Sequence, residues 1–162
     1  MMRFLKIAIP VFVLGNVTGA AAWYLFSPLL FDEVVQEELV NADAFTELVA
    51  GTFRDADAAH RGSGNATILQ NGSGETVLRL TEFEVTNGPD LEVWLSAVAD
   101  PQSSSDVSGA QWLSLGQLKG NVGDQTYTIP ADADVSQYQS VVIWCEQFGV
   151  LFSPATLSSA GS

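Results

Sequence analysis

Hydrophobic and polar positions fall into three textures along the chain. From Ile7 to Phe31 no residue carries a charge. As a helix, this run of about 25 residues rises roughly 38 Å, enough to cross a hydrocarbon core of about 30 Å. The next stretch, DEVVQEELVNADAFTELVA, sets Val34, Val35, Leu39, Val40, Ala44, Phe45 and Leu48 near helical spacing among acids, with no Gly or Pro. That spacing predicts a juxtamembrane helix or solvated stalk over residues 32–49. From residue 50 to 157 the apolar runs are short, β-prone and separated by turn residues, the texture of an all-β fold: an antiparallel sandwich or barrel of about seven or eight strands. Residues 158–162 are small and polar, which predicts a frayed tail.

Within the β region, Asn65–Gln70 and Glu75–Thr81 flank Asn71-Gly72-Ser73-Gly74, a hairpin connection in which Asn and Gly supply positive φ. Phe83 to Thr86 runs out of phase with Leu78 and Leu80, which places a bulge near Glu82. Asn87-Gly88-Pro89-Asp90 reads as a turn into a strand that carries Leu91, Val93, Leu95 and Ala97 on one face and Trp94 on the other. Residues 100–109, with Pro101 and successive serines, read as a mobile loop. Two further strands, Trp112–Leu118 and Gln125–Pro130, are joined by a Gly-rich turn. In the last assigned strand Val141, Ile143 and Cys145 share one face and Val142 and Trp144 the other, so it is apolar on both sides and central to its sheet.

Two readings fit the N-terminus. Arg3 and Lys6 precede the apolar run and Asp32, Glu33, Glu37 and Glu38 follow it, so a retained anchor leaves the N-terminus cytoplasmic and the rest outside, as a single-pass membrane protein. Trp23 and Tyr24 suit the outer interface. Alternatively Ala20-Ala21-Ala22 is a signal-peptide cleavage site. The run stays apolar beyond it, through Trp23, Leu25, Phe26 and Phe31, which favours an anchor over residues 1–31. Both readings export the domain.

Charge then removes whole classes of function. Nineteen Asp and Glu stand against six Lys and Arg, for a net charge of -13, and scattered Arg54, Arg61, Arg79 and Lys119 cannot release the counterions of a nucleic acid. No G-x-S-x-G elbow, P-loop or dinucleotide fingerprint is present. With one Cys and one His, a structural zinc site lacks half its tetrahedral shell, and blue copper lacks its second His. No metal and no cofactor follow from the residues. What remains is Cys145, which reads either as a small core hydrophobe or as a redox or ligand thiol at a strand end, with Glu146 beside it opposing the thiolate. His60, in a loop of small and charged residues, reads either as a surface imidazole or as the partner of Cys145.

The order of Gly51-Thr52-Phe53, His60, Gly62 to Gly64, Leu80-Thr81-Glu82-Phe83, Gly88-Pro89-Asp90-Leu91-Glu92-Val93-Trp94-Leu95, Leu118-Lys119-Gly120, Gly123-Asp124-Gln125-Thr126-Tyr127 and Val141-Val142-Ile143-Trp144-Cys145 with Phe148 resembles the DM-thirteen domain. The resemblance covers roughly residues 50–157. It implies a β-rich extracytoplasmic domain described as an electron-transfer module, because the family motif contains the cysteine matched by Cys145. His60 matches a family position too. Two functions are therefore expected as alternatives. In one, an anchored redox domain uses Cys145 as thiol or ligand, His60 as its partner and Trp144 as a shield, with an unidentified redox protein outside the membrane. In the other, a non-catalytic sandwich binds an extracellular protein or glycan, with Cys145 in the core.

Overall fold

The computed structural model describes residues 2–26 and 31–159. Its order is helix α1 (Met2–Phe26), strands β1 (Phe45–Thr52), β2 (Gly62–Asn71), β3 (Thr76–Val85) and β4 (Leu91–Ser96), helix α2 (Ser104–Ser108), then β5 (Trp112–Gln117), β6 (Gln125–Ile129), β7 (Ser140–Cys145), β8 (Val150–Thr156) and β9 (Ser158–Ser159). The strands form two antiparallel sheets, one ordered β6-β3-β2-β1-β9 and the other β5-β4-β7-β8, so the fold is a sandwich and not a barrel. An isolated bridge between Phe53 and Ala155 ties the sheets along one side. Between them lies the core, built from the inward residues of both sheets: Ile68, Leu78, Leu80 and Phe83 from one, Val93, Leu95, Val141 and Ile143 from the other. All six residues of β7 are buried. Alternation on a strand covered on both faces has this consequence.

Local chemistry explains the turns. Asn71 Oδ1 accepts from the backbone N–H groups of Ser73 and Glu75, closing the β2–β3 hairpin, and Gly74 takes φ 87°. The bulge lies where the phase shift places it. Glu82 adopts φ 50° opposite Gly64 at φ 99°, and the β2–β3 register slips between Ser63 and Asn65.

Four expectations change. Residues 32–41 are not a helix: residues 32–39 run extended against the β5–β6 connection, with a parallel bridge from Val34 to Val122 and backbone bonds from Val35 to Val122 and Glu37 to Asp124, and the chain then turns at Asn41, φ 56°. The stretch from Phe45 is also strand, because β2 offers it a partner from Asn71 back to Asn65; periodicity over so few residues does not outweigh a complete hydrogen-bond ladder. The loop at 100–109 contains α2, whose start is fixed by the Gln102 and Ser103 N–H groups donating to Asp106 and whose Val107 is fully buried. The tail contributes β9, paired to Val49 and Ala50.

Helix α1 forms over 25 residues and is interrupted in apolar character by Gly15, Asn16, Thr18 and Gly19. Its Ile9, Phe12, Leu14 and Val17 side chains are exposed. Among the described residues no helix is long and apolar enough to cross a membrane. Leu29 and Leu30 of the apolar run, and residues 160–162 of the tail, lie outside the described residues.

Candidate functional site

The candidate residues converge on one end of the sandwich. Antiparallel order brings the β1–β2, β3–β4, β5–β6 and β7–β8 connections together there. Cys145 is the last residue of β7, paired across the sheet to Leu91 and Val150. Its side chain is fully buried on the inner face. The thiol donates to the Pro89 carbonyl at 3.0 Å, so the sulfur is tied from beneath to the Asn87–Asp90 turn. Burial pushes this thiol up, and the nearby negative charges of Asp90 and Glu146 push the same way. Backbone N–H groups of Phe148 and Gln147 pull down, without overcoming burial. The resting group is a protonated thiol.

The turn above it is shaped by two unusual positions. Asp90 has φ 55°, and its carbonyl accepts from the Glu146 N–H at 3.0 Å. Gly88 lies so close to the Phe152 ring that a Cβ there would stand 2.6 Å from Cζ. Only glycine lets the turn settle onto Phe152. Over the turn opens a cleft of about 410 Å3 lined by Phe31, Glu33, Asn87, Gly88, Leu91 and Asn121 among others.

His60 stands on the far side of Phe152. Its ring centroid lies 4.4 Å from that of Phe152, and Nδ1 is 2.8 Å from Asp57 Oδ2. The same aspartate accepts from the Ala59 and His60 N–H groups. These bonds, the one to the His60 ring foremost, bring Asp57 down to about 2. His60 and Cys145 thus share an end of the molecule but are separated by Phe152 and the Gly88–Pro89 backbone, with no hydrogen bond between them.

Trp144 departs from the shielding role. It lies on the outer face of its sheet, buried with Trp94, Val107, Val142 and Leu151, because neighbours on a strand point to opposite faces. The sulfur is covered by the turn. Stacked on Trp94 are Trp144, at 5.1 Å, and the half-exposed Trp112, at 3.9 Å and 12°.

Among the described residues no three of His, Cys, Asp or Glu converge to hold an ion, and no buried side-chain N or O lacks a hydrogen-bond partner.

A family model described as electron transfer DM13 matches residues 52–157. The chain belongs to this family. Its DM13 domain includes every strand from β2 to β8 together with His60, Trp144 and Cys145. No curated protein and no solved structure matches the chain. Sequence reasoning reached Cys145 and His60 but missed Pro89 and Phe152 as their neighbours. The Gly88-Pro89 turn was legible; its contact with a strand more than fifty residues onward was not.

Proposed function

We propose that this electron-transfer DM13 domain is a redox module held outside the cytoplasmic membrane by its N-terminal segment, with Cys145 as the group that changes oxidation state. The observation that carries the reading is the S–H bond to Pro89: the one thiol of the chain is stationed directly under a turn that lines an open cleft. Burial keeps it protonated and unreactive at rest. Lifting the turn breaks the S–H bond to Pro89 together with the bonds that Glu146 N–H and Gln117 make to Asp90, and delivers the sulfur to the cleft. A peroxide then transfers an oxygen to the sulfur, giving the sulfenic acid and releasing an alcohol or water, and a partner's thiol condenses with that acid to a mixed disulfide with loss of water. His60 acts at one remove in this cycle. Held by Asp57, it backs the Phe152 ring on which Gly88 rests.

Anchoring by residues 7–31 is supported by the uncharged run, by basic residues before it and acids after it. Asn16 and Thr18 also turn their polar groups back onto the Phe12 and Leu14 carbonyls, which removes donors a hydrocarbon phase cannot satisfy.

The test is thiol labelling of the full chain. The expected result is slow native-state modification of Cys145 that accelerates as pH rises past the ordinary thiol value of 9.0, with peroxide blocking the label. Labelling only on unfolding, at every pH, would favour the second reading, an extracellular binding sandwich with Cys145 in its core. The exposed Trp112 is the observation on that side.

A further inference from the structure

Three tryptophans lie in face-to-face contact on the outer face of the four-stranded sheet. Trp112, 44% exposed, stacks on Trp94 with centroids 3.9 Å apart and planes 12° from parallel. Trp94 stacks in turn on Trp144 at 5.1 Å and 28°; both inner rings are 3% exposed. Offset aromatic contact needs no such alignment for packing alone, since edge-to-face pairs serve equally well. The second observation is polar. Trp94 Nε1–H donates to Glu92 Oε2 at 2.7 Å, and Ser114 Oγ–H donates to the same oxygen at 2.7 Å. An indole that loses an electron becomes a strong N–H acid, and here a carboxylate already accepts that hydrogen.

We propose that Trp112, Trp94 and Trp144 form a one-electron relay, with Glu92 as the proton acceptor of the oxidised stack. An outer-sphere, cationic one-electron oxidant docks against Trp112; the net charge of -13 favours the approach of a cation. One electron leaves the stack and lowers the oxidant's charge by one. The positive hole settles on Trp94, whose Nε1 proton passes to Glu92 Oε2, leaving a neutral tryptophanyl radical beside a carboxylic acid. A returning electron restores the indole, and the proton moves back to nitrogen. The inference rests on the electron-transfer reading of the domain and not on Cys145.

The probe is a ruthenium tris-bipyridine trication, generated by a light flash with an irreversible quencher, acting on the full chain in a Trp23→Phe background that removes the exposed tryptophan of α1. Transient absorption is expected to show the neutral tryptophanyl radical. Trp112→Phe, at the surface, is expected to lose most of the radical yield. Glu92→Gln keeps an acceptor for Trp94 and Ser114 but takes no proton, so the radical is expected in its cationic form, a spectral change that altered packing alone does not produce. An unchanged yield in Trp112→Phe, an unchanged neutral spectrum in a folded Glu92→Gln, or no tryptophanyl radical at all would each overturn the relay. Cys145→Ser separates the two readings: the relay predicts the same radical with and without the sulfur, whatever the labelling of Cys145 shows.

Discussion

Gly88 is where a single hydrogen atom in place of a methyl decides whether the sulfur is covered. With Cβ added, the turn meets Phe152 Cζ and Cε1 and the Leu91 side chain; both side chains are packed in the core, so the turn is pushed away from β8 to the extent that the core holds the ring in place. Gly88→Ala is therefore expected to speed native-state labelling of Cys145, read as mass shift at a fixed time; an unchanged rate would mean that the turn is not the cover. Tyr127 is the other residue whose burial has a readable consequence. Its hydroxyl donates to Gln125 Oε1 at 2.8 Å and accepts from the Lys119 N–H at 3.0 Å. Burial raises it from 10.0 to about 12, partly offset by the Lys119 N–H and reinforced by the charge of Glu37. A group raised on folding stabilises fully below its unfolded value and loses that contribution as pH climbs through the folded one. Thermal midpoints are thus expected to fall between pH 10 and about 12, and Tyr127→Phe to flatten that part of the curve while lowering stability by about 1–3 kcal/mol at neutral pH for the unsatisfied partners it leaves.

Among elements, the extended strap before β1 changes the organisation most. Glu37 is its clasp. The carboxylate accepts from Lys119 Nζ and the Thr126 N–H, and the Glu37 carbonyl accepts from Arg79. Gly120 and Gly123 let the strap approach, since a Cβ on either would strike the Glu33 or Val35 carbonyl. Burial pushes Glu37 up, but the hydrogen bonds from Lys119 and Thr126 and the charges of Lys119 and Arg79 outweigh it and hold the group below its ordinary 4.5. A lowered acid stabilises above its unfolded value, and that contribution disappears as pH falls through the folded one. Protection of the Val35 and Glu37 amides, relative to their intrinsic exchange rates, is expected to fall below about pH 4.5, ahead of that of the β strands, and Glu37→Gln to lower it at neutral pH. Exchange that stayed in step with the strands in acid would show that Glu37 does not hold the strap.

At the scale of the molecule, the sandwich is most secure along β4 and β7. Strand β7 is buried throughout and paired on both edges, to β4 and β8; its outer face is sealed by the tryptophans and α2. Local openings leave such a strand intact, so its amides report global unfolding. The Val141 to Trp144 amides are expected to be the slowest to exchange in the chain, with β9 and the strap fastest among paired segments. Equal protection in β9 would contradict this order.

Short-range chemistry made much of this molecule legible in one dimension. The β texture, the Asn71–Gly74 hairpin, the bulge at Glu82, the turn at Asn87–Asp90 and the two faces of β7 all rest on side-chain alternation or on the backbone freedom of Gly and Asn, which act over a few residues. The same reasoning turned residues 32–49 toward helix, because apolar spacing there suits either conformation and the deciding partners, Val122 and Asp124, lie some ninety positions away. Cys145 and His60 were readable as the chain's rare chemistry. That Phe152 stands between them, that Pro89 holds the sulfur and that Trp112 lies on Trp94 came only with the tertiary structure, since strand order and register, and not local sequence, decide which distant side chains meet.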